Sequence, residues 1–137
     1  MTLEELIKLN EKRNKGKAAP SEHDLQVSCV TWFRYQYPKL VIMAIPNGGY
    51  RTATTARIMK AEGQLAGVPD LFVPVPAGEH HGLWLEMKNG KAGRLSPAQK
   101  EMHAYLQAQG YAVEVVRDAV QFRAVVSTYL QGTRTHA

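Results

Sequence analysis

Gly67-Val68-Pro69-Asp70-Leu71-Phe72-Val73-Pro74-Val75-Pro76 is followed, after a short turn, by Gly82-Leu83-Trp84-Leu85-Glu86-Met87-Lys88. The two apolar runs read as strands joined into a hairpin. Asp70 opens the first strand, and Glu86 and Lys88 close the second. Side chains two apart on a strand share a face, so Glu86 and Lys88 lie together, opposite Leu83, Leu85 and Met87. A carboxylate and a lysine on so apolar a strand are unfavourable without partners. Asp70, at the end of the neighbouring strand, is placed to supply one.

Two carboxylates and a lysine around one point suit a hard divalent cation such as Mg²⁺, which takes oxygen ligands and keeps several waters. The lysine is suited to orienting a water or neutralising phosphate charge. An ordinary ion pair on a surface hairpin would explain the same residues taken by themselves. The pattern Pro-Asp, a gap, then Glu-x-Lys resembles the PD-(D/E)xK nucleases. Gly67-Val68-Pro69-Asp70-Leu71 and Leu95-Ser96-Pro97-Ala98-Gln99-Lys100 resemble more narrowly the VRR-NUC family, the virus-type replication-repair nucleases.

The 137 residues suit one domain with a real core, and the net charge of +5 points to a polyanionic partner. The single Cys29 excludes an internal disulfide and a thiolate zinc cage, and is read as a small buried apolar residue. Met1-Thr-Leu-Glu-Glu-Leu does not resemble a secretory leader, and no apolar stretch approaches membrane length. The expected location is cytoplasmic, in the host cytoplasm if the chain is phage-encoded.

The expected domain divisions are 1–19 (a short helix and basic linker), 20–131 (the nuclease-like domain) and 132–137 (a tail). Leu3, Leu6, Ile7 and Asn10 mark one face of the first helix. Lys12, Arg13, Lys15 and Lys17 make a basic stretch that suits a phosphate or a solvated turn equally. Ser21 caps a second helix whose inward face is Leu25, Cys29, Trp32 and Phe33, ending by Tyr37-Pro38. Glu22 leans toward that face. By position it is a first-turn carboxylate favoured by the helix dipole.

Residues 39–45 form a continuous apolar run that reads as a central strand. Asn47-Gly48-Gly49-Tyr50-Arg51 follows as a turn. A short helix from about Thr52 to Glu62 then carries Arg57 and Lys60 on one face. Asn89-Gly90-Lys91-Ala92-Gly93-Arg94 is a basic loop directly after Lys88, suited to a phosphate backbone. His80 and His81 are read as exposed turn residues. Ser96-Pro97-Ala98-Gln99 opens a helix with a capping box, and Met102, Tyr105 and Leu106 are expected to face the core. A strand from Tyr111 to Val116 and a helix capped by Asp118 complete the chain.

The expected fold is α/β, a mixed sheet flanked by helices. The resemblance, over roughly residues 20–117, implies the restriction-endonuclease-like α-βββ-α-β core. It also implies a metal-dependent DNA endonuclease using Mg²⁺ or Mn²⁺. Asp70, Glu86, the Met87 carbonyl and Glu22 are then the expected ligands, Lys88 the group acting on water or phosphate, and Gln99 a neighbour of the site. Asn47, Arg51, Arg57, Lys60, Lys91 and Arg94 are the expected nucleic-acid contacts. Stand-alone members of the family imply a homodimer acting on branched or four-way junction DNA. The alternative is a non-cleaving DNA-binding module on the same fold. No glycine-rich phosphate loop of the Walker kind is present, which disfavours a hydrolase of small phosphate compounds.

Overall fold

The helices begin where short polar side chains can take up the first free backbone N–H groups. In the computed structural model, which describes residues 2–14, 21–46, 52–91 and 93–133, there are five helices. They are α1 (Leu3–Asn14), α2 (Glu22–Gln36), α3 (Ala53–Ala61), α4 (Pro97–Ala108) and α5 (Ala119–Gln131). Ser21, Thr52, Ser96 and Asp118 each accept the N–H three residues on, from Asp24, Thr55, Gln99 and Gln121. Such a cap contributes about 1 kcal/mol.

Four strands form one mixed sheet in the order β1-β2-β3-β4. They are β1 (Met43–Ala44), β2 (Leu71–Val73), β3 (Leu83–Met87) and β4 (Ala112–Val116). β1 with β2, and β2 with β3, are antiparallel, whereas β3 and β4 run parallel and are joined through α4. The register Leu71↔Leu85, Phe72↔Trp84 and Val73↔Leu83 is that of the expected hairpin.

The apolar run at 39–45 departs from expectation. It supplies an edge strand of two residues, not a central one. The chain first turns after Pro38, with the Leu40 N–H on the Tyr37 carbonyl, so the run is spent partly on leaving α2. Only Ile42 is then buried, while Val41 and Met43 face outward. The central places belong to β2 and β3, whose side chains are buried most deeply.

Alternation along β3 divides the molecule. Leu83, Leu85 and Met87 enter a core with Leu25, Cys29 and Phe33 of α2 and with Phe122, Val126 and Leu130 of α5. Each such fully buried apolar side chain contributes about 1.5–3 kcal/mol. The other face carries Trp84 and Glu86, meets α4, and holds the polar cluster described next. α1 packs on α5 but leaves Leu3, Leu6, Ile7 and Leu9 exposed. No helix among the described residues is long and apolar enough to cross a membrane.

Candidate active site

Pro69 shapes the edge of the site. Continuing the β2–β3 register by two residues puts Pro69 opposite Met87. Proline has no N–H to give the Met87 carbonyl, so the ladder ends there. The Met87 N–H turns instead to the Asp70 carboxylate, donating to Oδ2 at 2.7 Å. Asp70 is thereby fixed against the C-terminal end of β3, where the sequence places Glu86 and Lys88.

Glu86 is 2% exposed. Its Oε1 lies 3.1 Å from Nε2 of His103, on the inward face of α4. Burial pushes its carboxyl up to about 9, aided by a hydrogen bond that the protonated carboxyl gives to Asp70 and by the Asp70 charge; Lys88 opposes the shift and Glu22 adds to it. The His103 imidazole is held below its ordinary value by burial and by the Lys88 ammonium, with Asp70 pulling the other way. The spacing is that of an ion pair, but burial opposes charge on both partners. The contact is therefore favoured as a hydrogen bond over an ion pair.

Lys88 leaves the end of β3 and reaches α4. Its Nζ donates to Oε1 of Gln99 at 3.0 Å. The same oxygen accepts the Ser96 N–H at 2.9 Å, closing the capping box while Ser96 Oγ takes the Gln99 N–H. Gln99 therefore caps its helix and holds the lysine at once. The start of α4 is brought there by Gly67. Gly67 has φ +85°, and a Cβ on it would stand 2.3 Å from the Ala98 carbonyl oxygen. Only glycine permits this approach, which ties the Pro-Asp turn to the helix bearing Gln99 and His103.

Asp70, Glu86, Lys88 and Gln99 thus converge, with the backbone of Met87 between them. Glu22 stands exposed in the first turn of α2 and acts on Glu86 through its charge. Among the described residues, no three His, Cys, Asp or Glu side chains form a ready metal cage. Two carboxyl groups and a main-chain carbonyl are hard oxygen donors, a set that suits a divalent cation completed by water and phosphate.

The expected nucleic-acid contacts are distributed. Arg57 and Lys60 are exposed on α3, and Lys91 and Arg94 are exposed on the loop after Lys88. Asn47 and Arg51 lie outside the described residues, as do Lys15 and Lys17. His80 and His81 are exposed at the hairpin turn. Burial raises the Cys29 thiol to about 12, so it is an inert packing group.

One expectation about α4 is corrected. Tyr105 is 60% exposed, and His103 takes the inward place with Leu106. The inward stripe runs Gln99, His103, Leu106, set by the site rather than by the most apolar residues. His103 was missed in the sequence, although its spacing of four from Gln99 and three from Leu106 puts it on that stripe. Arg117 was missed as well. Its Nη1 donates to the carbonyls of Gly90 and Gly93, contacts that no sequence pattern announces.

The VRR-NUC domain family model matches residues 20–119. A solved structure described as a VRR_NUC domain protein is similar to this chain with a TM-score of 0.70 and 25% identity. The match covers 83% of this chain and 91% of that one. No curated protein matches.

Proposed function

The chain belongs to the VRR-NUC family, a nuclease-type domain, and from that premise we propose that it is a metal-dependent endonuclease hydrolysing DNA phosphodiester bonds. The observation that carries this reading is the meeting of Asp70 and Glu86 beside Lys88. Burial and the neighbouring Asp70 raise the Glu86 value, because charge on both carboxyl groups at once is unfavourable. A divalent cation relieves that repulsion. Asp70, Glu86 and the Met87 carbonyl would hold Mg²⁺ or Mn²⁺, with Glu22 joining directly or through water. When bound, the ion polarises the scissile phosphate and offsets charge on the leaving oxygen.

The chain's own groups do the rest. Lys88 presents its ammonium to the phosphate and orients the attacking water, with Gln99 Oε1 fixing its head. His103 holds the Glu86 carboxyl from behind. Arg57, Lys60, Lys91 and Arg94, with Arg51, neutralise backbone phosphates, Asn47 hydrogen-bonds to one, and none carries a base preference.

The preferred substrate is branched DNA, four-way junctions above all, cut by a homodimer. One domain with one site cuts one strand at a time, and a two-fold dimer is the commonest way to pair two cuts. α3 supports this. Ile58 stands exposed on it and Leu65 just beyond it, and it carries Arg57 and Lys60.

Incubating the protein with supercoiled plasmid and with a four-way junction, in Mg²⁺, in Mn²⁺ and in EDTA, tests the proposal. Cleavage in either metal and none in EDTA is expected. Retention of DNA without cleavage in every condition would leave the non-cleaving binding module.

A further inference from the structure

We propose that Arg117, directly after β4, is a positioning residue that holds Lys88 in place through the loop between them. This rests on the role given to Lys88 above. Nη1 of Arg117 donates to the carbonyl oxygens of Gly90 at 2.9 Å and Gly93 at 2.6 Å. Both belong to the loop that follows Lys88 beyond the end of the sheet, where the strand ladder no longer fixes the backbone. Gly93 in turn faces the Lys88 side chain. A Cβ at Gly93 would stand 3.2 Å from Lys88 Cβ and 3.4 Å from its Cδ.

Lys88 is consequently gripped at three levels. Its N–H donates to the Val116 carbonyl at 2.8 Å, its stem passes Gly93 with no room for a methyl between them, and its ammonium meets Gln99. The position of Gly93 beside the lysine depends on where the loop sits, and the Arg117 guanidinium holds that loop at Gly90 and at Gly93. Arg117 is itself anchored, since its N–H donates to Oε1 of Gln121 at 2.7 Å in the first turn of α5. Charge-assisted bonds to carbonyls are stronger than neutral ones, so a neutral residue of similar length does not replace the arginine. A flexible lysine must be held near its productive geometry to act on water, and small displacements are expensive in rate.

Arg117→Met keeps the apolar length and removes the donors. Protein labelled with ¹³C-lysine reports the Lys88 ε-methylene, assigned by its loss in Lys88→Ala. In the wild type its two protons are expected to give separate signals, as in a held side chain. In Arg117→Met they are expected to merge, while near-ultraviolet circular dichroism stays native. The single-turnover cleavage rate at saturating DNA is expected to fall on the order of 10–100-fold. The DNA dissociation constant, measured in EDTA, should stay within about threefold, as expected when phosphate-contacting cations are untouched. If Arg117→Met does not fold, Gly93→Ala acts on the same link by pressing on the lysine stem, and a comparable loss of rate is expected.

Lys88 signals that stay separate in both variants would overturn the proposal. So would a loss confined to the dissociation constant, which would make Arg117 a support for DNA binding alone. Merged signals with an unchanged rate would uphold the positioning and overturn the role assigned to Lys88, so the two failures are told apart.

Discussion

Glu86 on β3 and His103 on α4 meet at 3.1 Å, inside the protein and on the sheet face away from the main core. Burial works against ionisation of each, raising the Glu86 value and lowering that of His103. The contact couples the helix carrying Gln99 to the strand carrying Glu86. Replacing His103 by alanine leaves the Glu86 carboxyl without this partner. A loss of about 1–3 kcal/mol in a urea melt is expected. Mn²⁺ affinity by calorimetry should fall on the order of 10–100-fold, as it does when a group orienting a metal ligand is lost. His103→Gln, which can still donate, should recover part of both.

Glu86 also sets a pH dependence. Its folded-state value near 9 lies above the ordinary 4.5. Between those values the folded protein holds a proton that the unfolded chain has released. Stability from this group is therefore full below about 4.5 and is lost as pH rises through about 9. The depressed His103 imidazole contributes the opposite slope below about pH 6.5, so in EDTA the melting temperature of the wild type should decline from about pH 7 to pH 9. Glu86→Gln, neutral throughout, should show a flatter profile and greater stability at the alkaline end. Excess Mg²⁺ should lift the wild type there and leave the variant unchanged. A wild-type profile rising between pH 7 and pH 9 in EDTA would contradict the carboxyl pair.

Gly67→Ala tests the joint between the Pro-Asp turn and α4. The added methyl meets the Ala98 backbone, and φ +85° is unfavourable for any L side chain. A loss of about 2 kcal/mol, near 7 °C in melting temperature for a domain of this size, is expected. Cleavage should fall further than the stability loss explains, because α4 carries Gln99 away from Lys88. Normal cleavage by this variant at 25 °C would show that the close approach serves packing alone.

Much of this arrangement was legible in the chain. The hairpin, the inward face of α2, and the caps Ser21, Ser96 and Asp118 follow from local rules that bind neighbouring residues. Asp70, Glu86 and Lys88 could be placed together because strand alternation and one tight hairpin leave little freedom. What escaped was decided at longer range. The run at 39–45 has the composition of a buried strand, yet the turn after Pro38 consumes half of it. Tyr105 lost its inward place to His103 because a buried carboxyl needed a partner there. Arg117 is 24 residues from the Gly93 carbonyl it holds, and nothing in its own neighbourhood signals that bond.

Assembly gives a separate prediction. A homodimer working on junctions should have twice the chain's 15.2 kDa mass in light scattering at micromolar concentration. Ile58→Lys, on the exposed face of α3, should shift it toward the monomer if that helix forms the contact. A monomer mass with and without junction DNA would rule out the dimer. Equal cleavage of a four-way junction and of linear duplex with the same sequence would leave a nuclease with no preference for branches.

The most direct measurement is single-turnover cleavage of DNA by Lys88→Ala, with binding followed in parallel. Lys88 lies at the rim of β3, outside the main core, and its ammonium meets only the Gln99 side chain among the described contacts. Its removal should leave the melting temperature and the DNA dissociation constant close to those of the wild type. Cleavage in Mg²⁺ or Mn²⁺ should fall to the level seen with EDTA. A well-folded Lys88→Ala protein that cuts DNA at nearly the wild-type rate would contradict the assignment of this cluster as the catalytic centre.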